Sequence, residues 1–491
     1  KSINMSNVLM SILYVKNKLY SDFLRIDPSI NIRNMLLIFL VALLLRIIYA
    51  WFFVDVENLI HEDQEFYIYL GQTIAKTGEF VQHTNGGNIP VTERVPGYPI
   101  FLSIIYSLFG ENNMAVVLVQ IIIDSLTCVV IGLLSGLVMR HGFLIAGIVS
   151  ALNLNMIILS GMILTDTLFL FFFSLFILFS FFYLRKAKKM QLFLSITFLS
   201  IATLVRPVSY FLIVLLLLLL IIRFVLKKSS LKEVIQSLFV YLIPIVIVLG
   251  SVHHRNYHEY NSYSLVSQGG MHTLNWVVPA VYQYSGQGSY QEGKNFAKSA
   301  LEQSMVRDKI KTLPDNPFES SSYRMKVAKE ALLELGLLNI VHAWTGGTLI
   351  NLVSPSVAYA PIVRKMDHPS FYATTGNGVF EKLINYINNT NGLTYLSIIA
   401  IGSLFSIMFL FISLIGLYKL VLSLQFNKNN RVIILLSVLV IVYFFAITGP
   451  IVGVKYRLPI EPIMTLFFSY VLINFIKKYK FKFLEKKCSL D

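Results

Sequence analysis

Charge is the first thing this chain lacks. Only 14% of its 491 residues are charged and 56% are hydrophobic, whereas a soluble domain carries about 25% charged residues. That excludes an ordinary soluble protein. Cysteine is nearly missing: Cys128 lies in an apolar stretch and Cys488 in a basic tail, so no disulfide framework is expected. There is no Gly-rich phosphate loop, no CxxC pair and no HExxH motif, which removes the common nucleotide and zinc signatures. No internal repeat is visible, which weakens a transporter built from repeated halves. No cleavable signal peptide is expected either.

What is present is a series of long apolar runs, such as Phe211 to Ile222. They are too long and too uniform for the alternating segments of a barrel, so the expected fold class is an all-α integral membrane protein. Ten spans are predicted, at about 34–54, 113–139, 143–162, 164–184, 191–206, 208–226, 233–253, 394–418, 432–449 and 458–476. The predicted organisation is a cytoplasmic segment 1–33, a transmembrane core 34–253 that includes an outer loop 55–99, a polar region 254–393, closing helices 394–476 and a basic tail 477–491.

The net charge of +15 would suggest nucleic acid in a soluble protein. Here its distribution points to membrane orientation, and no nucleic-acid partner is expected. Lysines and arginines crowd the N-terminal segment, the connections at 185–189, 223–232 and 419–431, and the tail; the short connections on the other side hold Lys76, Arg94, Arg206, Lys455 and Arg457. The positive-inside rule then puts both termini in the cytoplasm of a multi-pass protein of the plasma (inner) membrane. The loop 55–99 and the polar region face outward. Leu337–Pro355 is moderately apolar and would flip this parity if it crossed; it is read as a helix lying at the interface.

The outward residues carry the chemistry. Glu62, Asp63 and Glu65 open a helix whose Phe66, Tyr69, Leu70, Thr73 and Ile74 form one apolar face. At the start of that helix the amide N–H groups favour an ionised Asp63, which otherwise reads as a plain cap or solvated acid. Asp166 sits at the outer edge of a span, where an acid needs a partner or a task. Arg206 precedes Pro207, and Lys455 and Arg457 flank Tyr456. Each of these cations, and Arg46 within the first span, can simply snorkel to headgroups. Together, against a strong inside bias, they suggest a phosphate site. His61, His83, His253 and His254 match no metal-ligand spacing and read as loop histidines.

Several of these residues fall into a known pattern. Asp63…Tyr67…Ala75…Gly78 is followed by Arg94-Val95-Pro96-Gly97-Tyr98-Pro99…Gly110, then Leu164-Thr165-Asp166-Thr167-Leu168 and Arg206-Pro207. Arg255-Asn256…Gly269-Gly270…Leu274-Asn275 and Tyr456-Arg457-Leu458-Pro459-Ile460-Glu461-Pro462 complete it. In this order the chain resembles bacterial glycosyltransferase family 39, membrane enzymes of the GT-C superfamily related to protein O-mannosyltransferases and the lipid A aminoarabinose transferase. Gln64 stands where many members carry Glu, and Asp166 replaces the more usual Glu, keeping the charge and shortening the reach.

The resemblance implies a GT-C fold with two juxtamembrane helices in the first outer loop. It implies transfer of a monosaccharide from a polyprenyl phosphate-linked donor to a lipid, polysaccharide or protein acceptor. Asp63 inherits the catalytic carboxylate role, with Asp166 beside it. Arg94 inherits a donor-phosphate contact, with Arg206, Arg457 and Lys455 as further candidates. Glu62, Tyr67, Tyr98, Arg255 and Asn256 become candidates for the substrate pocket. No cofactor is required, since the arginines can neutralise one phosphate; a divalent metal stays open. The competing readings are a polyprenyl-linked glycan flippase, which needs ionisable groups near the bilayer midplane, and a non-catalytic glycan-binding scaffold.

Overall fold

The computed structural model describes residues 27–57, 62–84, 87–371, 373–376, 379–423 and 428–488. His61 and the side chain of Glu62 lie outside the described residues.

Helix α1 (Ile32–Phe53) is capped by Asn31, whose side chain accepts from the Asn34 amide. The outer loop follows as α2 (Glu62–Thr77), a hairpin of β1 (Val81–Thr84) and β2 (Gly87–Pro90), and α3 (Gly97–Phe109). The two expected juxtamembrane helices are therefore α2 and α3; the hairpin was not foreseen. The core continues as α4 (Asn113–Val138), α5 (Gly142–Ala151), α6 (Leu154–Ser160), α7 (Asp166–Lys186), α8 (Lys189–Val205), α9 (Tyr210–Lys227) and α10 (Leu231–Tyr260). The polar region folds into α11 (Gln268–His272), α12 (Val278–Tyr284), α13 (Tyr290–Arg307), α14 (Pro317–Leu335), α15 (Leu337–Val353), α16 (Pro361–Arg364) and α17 (Val379–Asn388). Helices α18 (Leu393–Ser423), α19 (Lys428–Thr448) and α20 (Glu461–Cys488) close the chain.

Among the described residues, 8 helical segments are long and apolar enough to cross a membrane. The expected span at 143–162 is α5 and α6, bent by 54°. The break has a local cause: the Asn153 side chain accepts from the Asn155 and Met156 amides and so starts a new helix. The expected span at 191–206 is α8, an apolar helix of 17 residues, about 25 Å long at 1.5 Å per residue. Helix α15 matches the segment expected at the interface; it is likewise a short apolar helix and not one of the eight.

The core is sealed by α7, whose Phe169, Phe173, Phe176 and Phe181 are buried. Phe444 of α19 meets Phe169 and Phe173 edge-on at 6.5 and 5.2 Å, a favoured aromatic geometry.

One buried ion pair corrects the sequence reading. Arg46 does not snorkel. It is fully buried, and its Nε donates to Asp124 at 2.5 Å while Nη1 donates to the Ala42 and Ala151 carbonyls. Asp124, inside α4, was missed; the acids singled out in the sequence all lay at the outer edge. A lone charge there would be costly, and pairing with further hydrogen bonds offsets part of that cost.

Candidate active site

Two close approaches build the site. Gly71 of α2 lies against Leu102 of α3, where an added Cβ would fall 2.5 Å from the leucine Cβ. Gly97 opens α3 against the end of α8, where an added Cβ would fall 2.5 Å from the Leu204 carbonyl oxygen. Only glycine allows backbones this near. The first contact sets α2, and with it Asp63, over α3. The second places the Arg94 loop beside Arg206, which follows α8.

Asp63 lies in the first turn of α2, where the helix dipole favours its charge. Arg94 Nη2 donates to its Oδ1 at 3.1 Å, and Lys455 Nζ stands 3.7 Å from its Oδ2. The Asp63 side chain remains 42% exposed, against 19% for each cation. This is an accessible carboxylate gripped by two mostly covered cations.

Asp166 begins α7 and is 3% exposed. Arg206 Nη1 donates to its Oδ1, and the Arg206 guanidinium lies 5.9 Å from the centre of the Tyr456 ring. The same ring lies 5.9 Å from Lys455 Nζ. Tyr456 thus stands between the two ion pairs.

Tyr67 connects them electrically. Burial pushes its hydroxyl above the usual tyrosine range; Arg94, Arg206 and Lys455 pull it back and Asp63 adds to the rise. It is a protonated hydroxyl at neutral pH, set among both acids' partners. Tyr67 packs edge-on against Tyr98 at 5.2 Å. Tyr98 is buried and donates at 2.7 Å to Gln120, which in turn donates to the Ser160 and Met162 carbonyls. That relay fixes the loop leading into Asp166. Gln120 was missed by sequence reasoning; a lone amide inside an apolar span was the available signal.

Lys455 is aimed by α15. Asn351 donates to the Ile451 carbonyl at 2.8 Å and accepts from the Gly453 amide at 2.7 Å. Tyr359 lines the floor here, its hydroxyl 2.9 Å from where a Gly453 Cβ would sit. His272, at the end of α11, is a further neighbour that the sequence did not single out. Burial, helped by the Arg94 charge, holds its imidazole below the usual histidine range. The Thr92–Ser267 contact at 2.9 Å ties α11 to the Arg94 loop.

The remaining candidates stand elsewhere. Arg457, expected among the phosphate contacts, is 5% exposed and spends its guanidinium on Glu461 and on the Leu352 and Ser354 carbonyls. Glu461 also accepts from Asn153 and Asn155. This cluster pins the start of α20 to the α5–α6 break and engages Arg457 Nε and Nη1 within the protein. Asn256 is buried and donates to the Ser264 and Leu265 carbonyls, closing the turn after α10. Arg255 donates to Asn256 and lies over the Phe80 ring at 5.7 Å. His83 sits in β1, bonded to Asn88. Among the described residues, no group of three His, Cys, Asp or Glu side chains is placed to hold a metal ion.

Residues 93–253 match the family described as dolichyl-phosphate-mannose-protein mannosyltransferase. The fold matches the archaeal oligosaccharyltransferase AglB from Archaeoglobus fulgidus, solved with an inhibitory peptide and a dolichol-phosphate, at a TM-score of 0.53 and 13% identity over 93% of this chain. The chain has the GT-C fold. The AglB apo form gives the same TM-score, 0.53, at 14% identity over 94% of this chain. In both cases the chain spans about half of AglB, 51% and 52% of its length. ArnT from Cupriavidus metallidurans bound to undecaprenyl phosphate aligns over 89% of this chain and 76% of its own, at 12% identity and a TM-score of 0.36. No curated protein matches the chain. The match at residues 93–253 covers about a third of the chain.

Proposed function

We propose that this GT-C protein is a glycosyltransferase that moves a monosaccharide from a polyprenyl phosphate-linked donor to a hydroxyl or amine on a lipid, polysaccharide or protein acceptor. The observation that carries the reading is the accessible Asp63 carboxylate held between Arg94 and Lys455, with the Arg206–Asp166 pair beside it. On the positive-inside reading the site opens on the outer face of the plasma membrane and both termini lie in the cytoplasm.

The resting ion pairs suit this chemistry. An incoming phosphate competes for Arg94 and Lys455 and leaves Asp63 able to accept a proton. Asp63 takes that proton from the acceptor as the new bond forms at the anomeric carbon. The bond from that carbon to the phosphate oxygen breaks, and its electron pair leaves with the polyprenyl phosphate. Arg94, Lys455 and Arg206 stabilise the charge that grows there. Attack on the face opposite the phosphate inverts the configuration. Asp166 holds Arg206 and orients the acceptor side of the pocket. The three cations supply the positive charge one phosphate needs, so no metal is required in this scheme.

The test uses purified protein in proteoliposomes with a panel of polyprenyl phosphate-sugars and a crude envelope fraction as acceptor. Loss of sugar from the lipid in wild type, absent in Asp63→Asn, supports the transferase. Intact sugar-lipid crossing the bilayer equally in both proteins overturns it in favour of a flippase.

A further inference from the structure

Helix α17 is amphipathic in the wrong sense for a helix facing water. Its Phe380, Ile384 and Ile387 follow an i, i+4, i+7 spacing and therefore share one face. They are 84%, 56% and 54% exposed. The opposite face carries Lys382, which is 1% exposed. Lys382 Nζ donates to Gln283 at 2.5 Å and lies 4.6 Å from the centre of the Phe371 ring. A helix in water would turn its lysine out and its isoleucines in, because burying apolar side chains is favourable and burying a charge is costly.

Helix α17 is also tied to the first turn of α18. Tyr386, on its buried side, shares a hydrogen bond at 2.6 Å with Tyr395 in the first turn of the span α18. The His368 ring stacks on Tyr395 at 4.5 Å. Only residues 389–392 separate α17 from that span. Leu393, where the span begins, is 86% exposed, and the apolar surface of α18 continues below it through Ile401, Leu404 and Phe405. The exposed apolar face of α17 is thus followed closely in the chain by a helix apolar enough to cross a membrane, with exposed apolar side chains of its own.

We infer that α17 is an interfacial helix whose Phe380, Ile384 and Ile387 insert into the acyl region of the leaflet on the active-site side. The occupant is lipid hydrocarbon, at a depth of ~5–10 Å below the headgroups. The helix then anchors the outer segment to the bilayer in addition to the spans. That segment also reaches the end of α1, where Lys365 pairs with Asp55 at 3.2 Å.

The full-length protein in liposomes tests this. Single cysteines are placed at Phe380→Cys and Ile384→Cys in a Cys488→Ser background, Cys128 being buried, and labelled with an environment-sensitive fluorophore. Leu404→Cys on α18 sets the lipid limit and Glu302→Cys on α13 the aqueous limit. Quenching at 380 and 384 by spin-labelled lipid, to the extent seen at 404 and with iodide protection, is the expected result. Iodide quenching equal to that at 302 overturns the inference. Shielding from both quenchers also overturns it, because the face is then covered by protein.

Discussion

Asp63 and Lys455 come from opposite ends of the chain and stand 3.7 Å apart, completing with Arg94 a carboxylate held on both oxygens. Asp63→Asn keeps the size and, on the proposed mechanism, loses the base. Sugar transfer is expected to fall by about 10²–10⁴-fold while binding of the polyprenyl phosphate-sugar persists. Lys455→Met is expected to raise the donor KM and leave Asp63 paired with Arg94. Initial rates against donor concentration separate the two.

Gly97→Ala tests whether backbone contact positions the cations. The new methyl would meet the Leu204 carbonyl at 2.5 Å, and backbone cannot yield as a flexible side chain can. Overpacking of this kind costs about 1–3 kcal/mol. The strain falls between the Arg94 loop and Arg206, so activity should drop by more than the melting temperature alone explains. Parallel thermal unfolding and turnover measurements check this.

The Arg46–Asp124 pair is a structural tie inside the core. Removing one partner leaves a buried unpaired charge, with an expected cost of about 3–5 kcal/mol. Arg46→Met paired with Asp124→Leu removes both charges and should recover most of that loss. A double-mutant cycle on unfolding in detergent measures the coupling.

Lys382 carries a pH signature. Burial pushes its ammonium down to about 7, against about 10.4 in an unfolded chain. Between those values the unfolded chain holds the proton and the folded one releases it. Stability therefore rises with pH from about 7 to about 10, and below about 7 the penalty is fully present. Lys382→Met should flatten this slope, as followed by melting temperature across pH 7–10.

Much of the architecture was legible in the sequence. The runs that became α1, α4, α7, α9, α10, α18, α19 and α20 announced themselves, because hydropathy is local and sums along a segment. The outer helix α2 was legible from its periodicity, while α3 followed from the family resemblance. Asp63, Arg94, Asp166 and Arg206 stood out because charge near an apolar span is rare and costly.

What the tertiary structure decided was which charge meets which. Arg457 and Lys455 lie two positions apart, yet one is consumed by Glu461 and two carbonyls while the other reaches Asp63. Arg46 looked like a snorkelling cation until α4 supplied Asp124. Lys382 belongs to a polar stretch of sequence, yet α17 turns it inward. Pairing depends on how helices rotate and cross. That is set by distant contacts such as Gly97 on Leu204, which leave no trace in the local pattern of residues.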